Sequence, residues 1–171
     1  MKAVREILYK VNINKVIGDT GALIGNVVSD SREVIEKDLY IAINGVNVDG
    51  HKFINSAIKK GAICVVCEVL PNKIQEGILY VVVESTRESI GIISSNYFSN
   101  PSSKLKLIGI TGTNGKTTIA TLLYNLYKTA GLKAGLISTV INYIDGKEIG
   151  STQTTPDSLT INKLLYQMVK E

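Results

Sequence analysis

The sequence has no tryptophan, one histidine, two cysteines, two phenylalanines, two methionines and three prolines. Cys64 and Cys67 have the C-x-x-C spacing of a redox or zinc motif, but there is no second pair, and His51 is the only histidine. They lie inside the β-type run 62–68, where residues three apart point to opposite faces. Both therefore read as small buried hydrophobes. Aromatic residues make up only 6% of the chain and do not interleave with basic ones, so no nucleic-acid partner is expected. Net charge is a mild +4, and Lys59-Lys60 is the longest basic run. No apolar run approaches a membrane span, so no membrane insertion is expected. Met1-Lys2-Ala3-Val4-Arg5-Glu6 leads into no apolar core or cleavage site. A signal peptide is not read there, and the expected location is cytoplasmic. No repeat or low-complexity tract occurs.

What is present is an ordinary globular balance, 44% apolar and 20% charged over 171 residues. That length predicts one domain or two small ones. The most informative stretch is Gly112-Thr113-Asn114-Gly115-Lys116-Thr117-Thr118. It follows the apolar run 105–110, which reads as a buried strand, and opens onto an apolar-periodic helix over 117–130. Strand, glycine loop and helix with Gly-Lys-Thr at the junction form a cradle for nucleotide phosphates. Gly112 and Gly115 let backbone N–H groups approach phosphate oxygens. The helix N-terminus adds partial positive charge there. Lys116 supplies a full charge and is the candidate catalytic residue. The Thr117 hydroxyl is the candidate Mg²⁺ ligand. The strict pattern G-x-x-x-x-G-K-[ST] is not met, because Ile110 stands where its first glycine would fall.

The rest of the chain reads as α/β. A short amphipathic helix is expected over 2–10, then a loop-rich stretch broken by Gly18, Gly21 and Gly25. Strands are expected at 27–28, 38–43, 62–68 and 79–84. Helices are expected at 51–60, with Phe53 on the apolar face and Gly61 as the stop, and at 86–98. The polar stretch 99–104 with Pro101 is the most linker-like, which sets domains at 1–103 and 104–171. In the second, 134–143 reads as a strand and Asp145-Gly146 as a hairpin turn. Thr155 reads as the N-cap of a final helix, with Pro156 first and Asp157 in the first turn.

Three polar clusters remain: Ser29-Asp30-Ser31-Arg32, Asn47-Val48-Asp49-Gly50-His51-Lys52-Phe53, and Thr154-Thr155-Pro156-Asp157-Ser158. Each by itself fits a turn or a helix cap. With the glycine loop they carry a resemblance. G-T-N-G-K-T-T resembles the ATP loop of the Mur ligase superfamily, ATP-dependent amide-bond-forming enzymes that make an acyl phosphate. The three clusters, with Asp38-Leu39-Tyr40, resemble the UDP-N-acetylmuramoyl-tripeptide synthetases, the MurE-type ligases. The resemblance spans the whole chain.

It implies a small N-terminal α/β domain that binds the uridine nucleotide, followed by the start of a P-loop α/β domain with an incomplete sheet. Ser31 with Ser29 would contact the UDP part of UDP-MurNAc-L-Ala-D-Glu, and Thr154 and Thr155 its muramoyl-dipeptide side. Residues Gly112, Thr113, Asn114, Gly115, Lys116, Thr117 and Thr118 would hold ATP with Mg²⁺. The substrate carboxylate would be phosphorylated, and a diamino acid, meso-diaminopimelate or L-lysine, would displace phosphate. The family's Mg²⁺-binding glutamate, its carbamylated lysine and its amino-acid domain would lie beyond Glu171. The expectation is therefore an N-terminal part of a longer ligase, inactive alone. The competing readings are a stand-alone P-loop NTPase and a structural module with a degenerate loop. Neither needs Ser31 with Thr154-Thr155.

Overall fold

The computed structural model describes residues 1–45, 48–150 and 156–171. They form two compact units, Met1–Tyr97 and Phe98–Glu171. The linker-like stretch belongs to the second unit. Its 3₁₀ turn Pro101–Lys104 packs on the final helix, and Phe98 lies against Tyr166 with ring centroids 5.5 Å apart.

The first unit opens with β1 (Lys2–Ala3) and α1 (Val4–Ile7). The expected helix over 2–10 is thus cut short. Lys2 and Ala3 pair with β3, and Lys10 takes a positive φ of 61°. β2 (Ile13–Ile17), β3 (Leu23–Ile24) and β4 (Val27–Val28) follow. β2 lay in the stretch read as loop. It is an edge strand with a bulge and a mostly exposed pattern, so no apolar alternation marks it. Next come β5 (Leu39–Ile41), α2 (Ile54–Lys59), β6 (Cys64–Cys67), β7 (Leu79–Val83) and α3 (Thr86–Tyr97).

The main sheet has the order β2-β7-β6-β5-β4, with β4 to β7 parallel and β2 antiparallel on β7. Parallel strands are covered on both faces and read as continuous apolar runs, as in Cys64-Val65-Val66-Cys67, which is buried throughout. Val65 and Cys67 join Tyr40, Ala57 and Tyr80 in one core cluster, and Cys64 is not in that cluster. Before α2 the chain makes a 3₁₀ turn, Gly50–Phe53. Its tighter winding takes Phe53 off the apolar face, and it is exposed.

The second unit contains α4 (Lys116–Thr129), β8 (Gly135–Leu136), β9 (Asn142–Ile144), β10 (Lys147–Ile149) and α5 (Ser158–Lys170). The strands form an antiparallel sheet, β10-β9-β8. The run expected as one strand over 134–143 folds back on itself. Ser138 Oγ accepts from Ile141 N–H at 3.1 Å and donates to Ile141 O at 2.6 Å. Asn142 Oδ1 accepts Ser138 N–H at 3.1 Å, and the result is a turn between β8 and β9. Asp145 and Gly146 form the β9–β10 hairpin turn, both at positive φ. Asp145 also bonds Lys128 Nζ at 2.7 Å, and that contact holds its carboxyl below the usual range. The cap of α5 is Asp157, whose Oδ1 accepts Thr160 N–H at 2.7 Å. The cap expected at Thr155 lies outside the described residues.

Residues 105–110 are a further correction. No described strand pairs with them, and Leu107 and Ile108 are 56% and 51% exposed. An apolar run marks a segment suited to a parallel sheet, but its hydrogen bonds must come from neighbouring strands.

Both cysteines are free and buried, and burial pushes both thiols up, Cys67 to about 11. Folded protein should therefore react negligibly with a thiol-exchange reagent at neutral pH, and urea should release both thiols together. Reaction of either thiol before unfolding would contradict this packing.

Candidate phosphate loop and the carboxyl edge of the first sheet

The candidate phosphate loop is local. Gly112 sits at φ 151° and Gly115 at φ 77°, angles that residues with a Cβ rarely adopt. Gly115 is the N-cap of α4, and its carbonyl accepts the first helical bond from Ile119 N–H at 2.9 Å. The first-turn N–H groups of a helix have no partner within it, and the dipole adds positive charge there. Lys116 starts the helix and turns back over the loop. Its Nζ donates to Gly112 O at 2.6 Å and Thr113 O at 3.2 Å. Thr117 is half-buried, while Thr113, Asn114 and Thr118 are exposed. Lys116 and Thr117 line one part of a cavity of about 680 Å³ whose wall includes Ile110, Ala120, Tyr124 and Leu136. The structure thus gathers Gly112 to Thr118 into one largely exposed turn with the Lys116 ammonium folded over it.

The other candidates sit in the first unit. Its parallel strands end at one edge, where ligands of open α/β sheets bind. Ser29 and Ser31 follow β4 and are half-buried. Asp30 between them forms the turn. It accepts Arg32 N–H at 2.8 Å and Arg32 Nη2 at 2.7 Å. The Arg32 side chain holds the Asp30 carboxyl below its ordinary value of 3.8. Beside them, after β5, Gly45 N–H donates to Val48 O at 3.0 Å, and Asn44 bridges Asp49. Gly50 N–H donates to Ile43 O at 2.8 Å. A Cβ on Gly50 would lie 2.7 Å from that oxygen, so the backbones meet too closely for a side chain.

Sequence reading missed two anchors of this loop. Tyr40 Oη donates to Gly50 O at 2.9 Å. Burial first, then the Asp30 and Asp49 charges, push its phenol up to about 12. His51 Nδ1 lies 2.7 Å from Asp49 Oδ1, and its Nε2 accepts Glu68 N–H at 2.9 Å. The Asp49-Gly50-His51 triplet was the available signal, but its partner Glu68 is remote in sequence. Val46 and Asn47 in this loop, and Thr154 and Thr155, lie outside the described residues. Among the described residues no cluster of three His, Cys, Asp or Glu could hold a metal ion. No described helix is long and apolar enough to cross a membrane.

Comparison with known proteins covers both units. Residues 23–106 match the Mur ligase family, catalytic domain, and residues 110–171 the Mur ligase middle domain. A UDP-N-acetylmuramoyl-L-alanyl-D-glutamate–2,6-diaminopimelate ligase of Phocaeicola vulgatus is 46% identical over 166 residues, 97% of this chain and 34% of that protein. The protein of the same name from Cytophaga hutchinsonii is 46% identical over 98% of this chain and 35% of its own length. The chain spans about a third of these curated relatives. A solved structure of a ligase of that name superposes with a TM-score of 0.73 at 23% identity, covering 99% of this chain and 34% of that one. A MurF structure from Acinetobacter baumannii gives 0.61 at 20% identity, over 96% of this chain and 32% of that one. At those identities the superpositions speak for the fold.

Two outcomes test this geometry. Gly115→Ala should lower the stability of the second unit by about 1–2 kcal/mol, read from urea unfolding. An unchanged midpoint would mean that the loop relaxes freely. Acidification should free the Ser29–Arg32 turn late. The depressed Asp30 pKa keeps the Arg32 contact's contribution whole above the ordinary value of 3.8 and removes it as pH falls through the lowered one. Carboxyl ¹³C shifts of Asp30 that titrate at or above 3.8 would refute the contact.

Proposed function

The chain belongs to the Mur ligase family, and on that premise we propose that it carries the uridine-nucleotide site and the ATP phosphate loop of a peptidoglycan-precursor ligase. The ligase joins a diamino acid to UDP-MurNAc-L-Ala-D-Glu. Diaminopimelate is the diamino acid in the names of the relatives that are 46% identical. The observation that carries the reading is the glycine-built loop with Lys116 folded over it, within a resemblance that runs through both units.

The residues fit a nucleotide triphosphate. Two glycines at positive φ leave the backbone donors open, and Lys116 needs only to swing from two carbonyls onto phosphate oxygens. Thr117 would contribute its hydroxyl as one ligand to a Mg²⁺ ion that accompanies the phosphates. ATP supplies the phosphoryl group that activates the substrate carboxylate for attack by the amine. The share of this chain is to hold the phosphates in line and neutralise their charge. In the first unit, Ser31 with Ser29 would hydrogen-bond the uridine nucleotide at the carboxyl edge of the sheet. Thr154 and Thr155 would meet the dipeptide side. A cytoplasmic location follows from the same reading, since the substrates are soluble nucleotides.

The test is titration calorimetry of the chain with Mg·ATP and, separately, with UDP-MurNAc-L-Ala-D-Glu. Lys116→Ala should lose ATP binding and keep the UDP substrate. Ser31→Ala should weaken the UDP substrate about fivefold or more, as expected for one lost hydrogen bond, and leave ATP unchanged. Equal effects of both substitutions on both ligands would sink the two-site assignment.

A further inference from the structure

We propose that Asp38 and the Glu36–Lys37 turn hold a monovalent alkali cation beside Gly25. The site lies where β4 and β5 begin, at the edge of the sheet opposite Ser29, and it stands whether or not the nucleotide sites are as assigned above.

Asp38 immediately precedes β5 and is fully buried. Its Oδ2 accepts Ile35 N–H at 2.9 Å. Its Oδ1 is also buried and has no hydrogen-bond partner among the described residues. No described lysine or arginine pairs with this carboxylate. A buried carboxylate is strongly unfavourable without a countercharge, which proteins supply by a paired side chain or a metal ion.

The preceding turn brings further oxygens to the same place. Lys37 takes a positive φ of 67°, and Asp38 N–H donates to Ile35 O at 3.3 Å. Lys37 N–H donates to Gly61 O at 2.9 Å, and Lys37 O accepts Gly25 N–H at 2.9 Å, so neighbouring segments tie the turn down. Gly25 is held in its turn by Tyr97, whose Oη donates to Gly25 O at 2.6 Å. A Cβ on Gly25 would find three oxygens as its nearest neighbours outside its own segment. They are Asp38 Oδ1 at 3.6 Å and Glu36 O and Lys37 O at 3.7 Å each. Gly25 is outside the left-handed region, so its backbone does not require glycine. What the missing side chain leaves is a small space walled by one carboxylate oxygen and two carbonyl oxygens.

That donor set selects the ion. Carboxylate and carbonyl oxygens suit hard cations rather than soft transition metals. Backbone carbonyls can stand in for the hydration shell of potassium or sodium. A single carboxylate then decides the charge. A monovalent ion brings the site to neutrality, whereas calcium and magnesium sites generally add more carboxylates or phosphates. Two of the three donors are main-chain atoms, so no cluster of acidic side chains marks the site.

The experiment follows the whole chain by NMR in sodium, potassium, magnesium and tetramethylammonium chloride at equal ionic strength. Sodium or potassium should shift the amides of Gly25, Lys37 and Asp38. Either should also slow amide exchange at Tyr40 and Val65, in the core of the first unit. The slowing should reach about tenfold with the ion at about ten times its dissociation constant, because binding to the folded state alone stabilises it by that ratio. Comparing the two salts shows which alkali ion is preferred. Gly25→Ala places a methyl among the oxygens without a close contact, and it should abolish the shifts and the slowing in a folded chain. Asp38→Asn keeps an acceptor for Ile35 N–H but removes the charge, and it should abolish both as well.

An equal response to tetramethylammonium would reduce the effect to ionic strength and overturn the proposal. So would slowing by sodium or potassium that persists in folded Gly25→Ala, since the ion would then bind elsewhere. No response to either alkali ion in the wild type would leave Asp38 Oδ1 to a water molecule. A stronger response to magnesium would make the site divalent. Either of those results also overturns the assignment.

Discussion

The parallel pairing of β4 to β7 is the constraint from which the first unit follows. Parallel neighbours cannot be joined by a tight turn, so each connection must travel back to the starting end. Here those returns are the polar loop with Val34, the segment carrying α2, and the turn before β7. Every strand then finishes at the same edge. Ser29 and Ser31, the Asn44 and Asp49 limbs, Glu68 and Thr86 come together for that reason, although they span much of the unit's sequence. Cover on both faces also dictates composition. Leu39, Ile41, Val65, Val66 and Val81 are fully buried, each worth about 1.5–3 kcal/mol of transfer free energy, and none is available for chemistry. Chemistry is left to the ends.

The glycine loop before α4 obeys a different rule. Its parts are contiguous: two glycines, a lysine and the start of one helix. Lys116 reaches carbonyls only three and four residues away. The helix behind it is anchored at its middle, where Tyr124 stacks on Tyr143 with centroids 5.2 Å apart. Near its end Lys128 reaches Asp145 in the hairpin turn. That arrangement fixes the direction of the helix dipole without any residue of the loop being buried.

This difference explains what could be read from the sequence. The glycine turn with Lys116, the helix behind it, the buried strand around Cys64 and Cys67 and the Asp145-Gly146 hairpin all declare themselves within a few residues. The two-faced burial of 62–68 is written in its continuous apolar run. What failed depended on partners. The apolar run 105–110 shows a preference for burial, yet only a neighbouring strand can satisfy its backbone. β2 is held by β7 and by little of its own, so Ile13–Ile17 looked like loop. The Ser138 turn hides inside an apolar run because one hydroxyl, serving as donor and acceptor, reverses the chain. The tie from His51 to Glu68 crosses 17 positions, and no local pattern announces it.

The position of Asp49 shows why such a tie can be stiff. A serine there could cap the His51 N–H, but it would leave the ring free to turn. Asp49 presents one oxygen to the backbone N–H at 2.9 Å and to Nδ1 at 2.7 Å, so the cap and the ring orientation are set by the same atom. Once the ring plane is fixed, Nε2 has one direction to accept from, and Glu68 N–H occupies it. Imidazole has only two rotatable bonds to lose on being held, where a lysine or arginine would have at least four. The loop after β5 is thereby joined to β6 through a rigid group at small entropic cost. Gly50 beside it is pressed too closely on Ile43 to carry a side chain. Residues from distant strand ends are in this way tied together as directly as neighbours in sequence.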